Sequence, residues 1–129
     1  MTPELYFLGW TLVLAVVQIF LVVSCRTKEV GLPYAMSARD KAAPVMGKVT
    51  GRLYRAQQNL FETLPLFAAA VLIAHVTGHE GNLTTLGAAL YFFARLVYVP
   101  VYAMGVPVVR TLVWAVSLVG LLMVFYAIL

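Results

Sequence analysis

The sequence predicts an all-α integral membrane protein, a bundle of four transmembrane helices with both termini on the non-cytoplasmic side. Three observations carry this reading. The 129 residues are 63% hydrophobic and 11% charged, against about 45–50% and about 25% in soluble domains, and the mean hydropathy is +0.94. Four apolar runs each approach the roughly 20 residues that a helix needs to cross hydrocarbon. All nine lysines and arginines fall in or beside the first and third connections, where the positive-inside rule places the cytoplasm.

The first run, Leu5–Cys25 (LYFLGWTLVLAVVQIFLVVSC), has no charge and one strongly polar residue, Gln18. It lacks a basic leader and a small-residue cleavage site, so it is expected to stay as a helix and not leave as a signal peptide. The second, Leu60–Val76, is apolar apart from Glu62, with Thr63 and His75 near its ends. Its helix is expected to begin earlier, between Pro44 and Arg52. The third, Leu83–Tyr102, carries Arg95 and Pro100, and the fourth, Val108–Leu129, carries Arg110 near its start. None alternates as a barrel strand does, and open strands cannot satisfy their backbone groups in lipid. One membrane domain, 1–129, is therefore expected, with helices at about 4–25, 46–77, 82–103 and 107–129.

The connections differ in length and charge. A long cytoplasmic loop is expected over about 26–45, opening with the turn signal Gly31-Leu32-Pro33. TGHEGN, 77–82, reads as a short hairpin, and AMGVP, 103–107, turns into the last helix with Pro107 suited to its first turn. Arg26, Lys28, Arg39, Lys41, Lys48, Arg52 and Arg55 lie in or beside the first loop, and Arg95 and Arg110 flank the third; the N-terminus, the second loop and the C-terminus have none. The formal charge of +4 thus points toward anionic headgroups for Lys28, Lys41 and Lys48 and away from nucleic acid. Cys25 stands alone, which excludes an intrachain disulfide. His75 and His79 are four apart, but Gly78 ends the helix between them, and no metal site is expected. No phosphate-loop, dinucleotide, serine-triad or nucleic-acid motif is visible.

The polar residues at the inner edge of hydrocarbon are the functional signal. In RLYRAQQNLFETLP, residues 52–65, Asn59 falls about 40° and Glu62 about 20° from Arg55 around a helix, with Arg52 at the rim and Gln57 facing roughly backwards. Pro65 leaves the carbonyl of Phe61 free beside Glu62. In ARLVYVPVY, Arg95, Tyr98 and Tyr102 share a face within about 60°, and Arg110 opens the last helix at the same level. A structural ion pair and an interfacial aromatic belt would explain some of these groups singly. They do not call for so many cations at one depth, where polar residues normally face the bundle interior or a watery cavity. Arginine forks match carboxylates, and Asn and Glu can bind an amide or ammonium. The implied ligand is small, polar and anionic, with amine or peptide character.

These residues resemble the signature of the membrane-associated proteins in eicosanoid and glutathione metabolism, the MAPEG family. Arg52, Arg55, Ala56, Gln57, Asn59, Glu62 and Pro65 match its R-x-x-R-A-Q-x-N-x-x-E-x-x-P pattern, and ARLVYVPVY is similar to its third-helix segment. The resemblance implies a four-helix membrane protein, commonly a homotrimer, with glutathione as bound cosubstrate near the cytoplasmic face between neighbouring subunits. Arg55, Asn59 and Glu62 would hold the tripeptide with Gln57 contributing, Arg52 and Arg95 would add charge, and Tyr98 and Tyr102 would close it from the third helix. Arg110 would stabilise the thiolate, as the catalytic residue. Thr63 stands where leukotriene synthases of the family carry a tyrosine. The expected activity is that of a glutathione transferase with peroxidase character toward lipophilic electrophiles in a bacterial inner membrane. The alternatives are a small proton-coupled transporter using Glu62 and a non-catalytic membrane scaffold that keeps the site.

Overall fold

A computed structural model describes all residues, 1–129. It is all-helical: α1 is Pro3–Val30, α2 Leu32–Ala35, α3 Lys48–Thr77, α4 Asn82–Ala103 and α5 Pro107–Ile128. The four long helices are each long and apolar enough to cross a membrane. Only 28 of the 129 residues are buried, so lipid or further protein must cover the apolar remainder, which includes Trp10, Val13, Val17 and Phe20 on α1.

Each helix end has a local cause. Thr2 caps α1 by accepting from the Leu5 N–H, and Pro3 occupies its first turn. The helix runs beyond the apolar stretch, through Arg26 and Glu29, which pair at 3.0 Å across one turn. It stops where Gly31 takes φ 85°, its N–H on the Thr27 carbonyl. The expected loop from residue 26 therefore begins five residues later and contains the single turn α2. Hydropathy marks where hydrocarbon ends, whereas the helix continues until the Gly-Leu-Pro sequence breaks it.

At 30 residues α3 is about 45 Å long, against about 30 Å of hydrocarbon. Its first turns, Lys48 to Arg55, thus stand in the headgroup zone. Gly78 ends it in the left-handed conformation, φ 74°, with the His79 N–H on the Ala74 carbonyl. The hairpin that follows is tied to the start of α1. Thr2 Oγ1 donates to Glu80 at 2.7 Å, and buried Glu4 accepts from Thr84 and Thr85 at the head of α4. His75 lies 3.1 Å from Glu80 and His79 2.7 Å from Thr77.

Phe67 of α3 stacks on Tyr91 of α4, ring centres 4.1 Å apart, and Leu8, Leu60, Val71, Ala88 and Leu121 close the core around them. The α4–α5 pair is the most extensive because two glycines let the backbones meet. A β-carbon on Gly87 would lie 2.7 Å from the Gly120 carbonyl oxygen, and one on Gly120 would lie 2.5 Å from that of Gly87. This close approach sets α5 against α4, and the three-residue turn 104–106 at the other end returns Arg110 to the tyrosines.

Candidate functional site

The start of α3, the end of α4 and the start of α5 assemble a cluster of cations and phenols. Tyr102, on the last turn of α4, lies between two arginines. Arg55 of α3 donates from Nε to its hydroxyl at 3.2 Å, and the Arg110 guanidinium of α5 sits 4.8 Å from its ring centre. Tyr98, one turn deeper, meets Tyr102 edge to face at 5.5 Å. Three separate helices thus converge on one aromatic ring. Asn59, Tyr98, Arg110, Thr111 and Trp114 enclose a small cavity of about 170 Å³ beside it.

Arg95 lies behind this cavity, 1% exposed. Its Nη2 donates to Asn59 at both Oδ1 (2.7 Å) and the backbone carbonyl (3.0 Å), and lies 3.1 Å from Thr63 Oγ1. Its guanidinium carbon is 5.0 Å from the Tyr98 ring and 5.8 Å from that of Tyr91. Nε and Nη1 have no hydrogen-bond partner. Arg95 is therefore a buried cation whose only neighbours are neutral, an arrangement that costs free energy in an apolar interior.

Toward the surface, Lys48, Gly51, Arg52 and Arg55 share a second cavity of about 420 Å³ at the start of α3. Gly51 leaves room for Arg55 to fold back, since a β-carbon there would lie 3.1 Å from its Nη1. Arg52 reaches the end of α4, donating to the Ala103 carbonyl at 3.3 Å. There it satisfies a helix-terminal acceptor and complements the dipole. Gly105, φ 74°, passes under that guanidinium where a β-carbon would lie 2.6 Å from Cζ.

The ion pairs of the chain are Arg26–Glu29 and His75–Glu80. Arg52, Arg55, Arg95 and Arg110 consequently have no acidic partner. Glu62 does not provide one: it is exposed on the outer face of α3 and makes no side-chain hydrogen bond or ion pair. Gln57 is half-buried, likewise without a side-chain hydrogen bond. Of the residues singled out from sequence, Arg55, Asn59, Arg95, Tyr98, Tyr102 and Arg110 come together, Arg52 anchors the rim, and Glu62 and Gln57 stand apart within the single chain.

Thr63 and Tyr91, which sequence reasoning left out of the site, complete the inner wall. Their hydroxyls are 2.7 Å apart, and Thr63 also meets Arg95. Tyr91 carried a readable signal: it precedes Arg95 by four residues, as Tyr98 follows it by three, and both spacings bring a ring over the same guanidinium. Thr111 and Trp114 of α5 carried none, because their place depends on how α5 packs against α3 and α4.

Comparison with known proteins agrees with this architecture. The MAPEG family matches residues 5–129, and the chain belongs to that family. Leukotriene C4 synthase of Bos taurus is 46% identical over 52 residues, 40% of this chain. The match spans 34% of that protein's length.

Proposed function

We propose that the protein binds glutathione at the inner ends of α3, α4 and α5 and activates its thiol toward lipophilic electrophiles, as a membrane glutathione transferase. The observation that carries this reading is the set of four arginines from three helices without an acidic partner. Anions are the ligands such a set selects. Membership of the MAPEG family supports glutathione, whose two carboxylates and amides suit Arg55, Arg52 and Asn59, with Gln57 contributing from a neighbouring subunit. Tyr98 and Tyr102 would close the site, with Arg95 supplying field from behind Asn59.

The chemistry follows from one shift. A thiol of pKa near 8.5 is only a few per cent ionised at neutral pH. Arg110 beside the sulfur, lowering that value by about two units, contributes about 2.7 kcal/mol to the anion. The thiol proton leaves to water, the thiolate sulfur forms a bond to the electrophilic carbon, and the leaving group departs with its electron pair. With a lipid hydroperoxide, a second glutathione completes the reduction to alcohol and water as the disulfide forms.

Glu62, exposed on the outer face of α3, requires a partner from outside the chain at that depth. We assign it to a site shared between subunits of a homotrimer, where it would meet the glutathione amine. A proton-coupled exporter would instead hold its carboxylate inside the helix bundle. By the positive-inside rule the basic first loop supports a site at the cytoplasmic face with both termini opposite, and the membrane we propose is a bacterial inner membrane. Calorimetric titration of detergent-purified protein with glutathione tests the reading: saturable binding lost in Arg55→Ala and Glu62→Gln is expected. No binding to the folded parent protein would refute it.

A further inference from the structure

A third cavity lies at the C-terminal end of α1, sharing Met46 and Tyr54 with the one that Lys48, Arg52 and Arg55 line. It holds about 330 Å³, room for roughly ten water-sized groups and within the range of small-molecule sites. Val22, Val23 and Val30 of α1 form one wall, Met46 and Tyr54 another, and the strap of residues 31–46 closes it over Tyr34. The strap is tied down: Tyr34 Oη donates to the Lys41 carbonyl at 2.7 Å, Arg26 donates to the Pro44 carbonyl, and Glu29 accepts from Gly47 N–H and Thr50 Oγ1.

Two cations stand at its polar side. Arg26 is balanced by Glu29, whereas Arg39 has no ion pair and spends one nitrogen on the Ala35 carbonyl at 3.0 Å. Neither acid of this region, Glu29 or Asp40, lines the cavity. Arg39 is also the one non-glycine residue with positive φ, 60°, its N–H held by Ser37 Oγ at 3.1 Å. The Ala35 contact holds its guanidinium at the cavity. The apolar wall opens outward: Val23 is 52% exposed and continues into Phe20 on the lipid-facing surface of α1. Water alone is a poor occupant of such walls.

We propose that this cavity binds the anionic head and first methylenes of a lipid from the surrounding leaflet. The carboxylate or phosphate sits on Arg39 with support from Arg26, and the acyl chain leaves along Val22 and Val23 into the bilayer. The proposal is independent of the glutathione reading, since the two arginines involved are not those around Tyr102.

The test uses full-length protein in a non-ionic detergent and the fluorescent probe dansyl-undecanoic acid. Saturable binding is expected, displaced by dodecanoate and dodecyl phosphate and about tenfold less well by dodecanol or inorganic phosphate. Arg39→Asn, which keeps a residue tolerant of positive φ, should weaken binding about tenfold, as loss of a charged hydrogen bond does. Ala35→Phe, which fills the cavity from the strap, should abolish it. Unchanged thermal midpoints would confirm that both variants fold. Displacement by dodecanol or inorganic phosphate as effective as by dodecyl phosphate would overturn the proposal, as would parental binding by both variants. The glutathione titration is read separately on the same samples, so failure of either reading leaves the other intact.

Discussion

Arg95 Nη2 lies 2.7 Å from Asn59 Oδ1, and this contact locks α4 to α3 directly behind the cavity beside Tyr98. The guanidinium is buried and meets only neutral groups, so Asn59 matters more than a neutral hydrogen bond would suggest.

A double-mutant cycle tests that coupling. Asn59→Leu alone strips the buried cation of its shortest acceptor and should cost about 1.5–3 kcal/mol. Combined with Arg95→Met, much of that loss should be recovered, because no unpaired charge remains. Denaturation of detergent-purified protein gives the four stabilities. Strictly additive losses would mean that the two residues do not act as a unit.

Tyr102→Phe removes the hydroxyl that receives Arg55 Nε but keeps the ring under Arg110. Glutathione affinity should fall about 2–10-fold while the thermal midpoint stays put, as the residue lies at the helix end. Calorimetry and a melting curve on the same sample separate the two effects. Unaltered affinity would leave Tyr102 with packing alone.

Gly120→Ala drives a β-carbon to 2.5 Å from the Gly87 carbonyl and 2.7 Å from the Tyr91 nitrogen. These are backbone atoms that cannot swing away, so a loss of at least about 1–3 kcal/mol is expected. Val119→Ala, on the exposed side of the same helix, should change stability by no more than about 0.5 kcal/mol. Thermal unfolding and the monodisperse yield report both.

Orientation can be read with cysteines, because Cys25 is the only native one. In a Cys25→Ser background, His79→Cys should react with an impermeant maleimide on intact cells. Lys41→Cys should react only after permeabilisation. The reverse pattern would invert the protein in the membrane and move the arginine cluster to the other face.

The four membrane-spanning helices were legible because lipid demands long apolar runs, and the breaks at Gly31, Gly78 and Pro107 are local signals. The end of α1 was not, since hydropathy registers the lipid boundary at Cys25 and says nothing of a helix that continues in the headgroups. Within the site, helical spacing placed Arg95, Tyr98 and Tyr102 on one face, and they do meet. The same arithmetic put Asn59 and Glu62 together on α3. The structure divides them, Asn59 turning to Arg95 and Glu62 facing outward, because angles on one helix cannot tell where the neighbouring helix lies. Trp114 and Thr111 reach the site through the packing of α5 against α3 and α4, which no single-helix pattern encodes.

The ultraviolet absorbance of thiolate on adding glutathione at neutral pH tests the anion-stabilising role of the arginine cluster most directly. A saturable thiolate band should appear with the parent protein and vanish in Arg110→Ala, while calorimetry still detects bound glutathione. A band of full intensity in Arg110→Ala, or its absence from a parent protein that binds glutathione, would contradict thiol activation at this site.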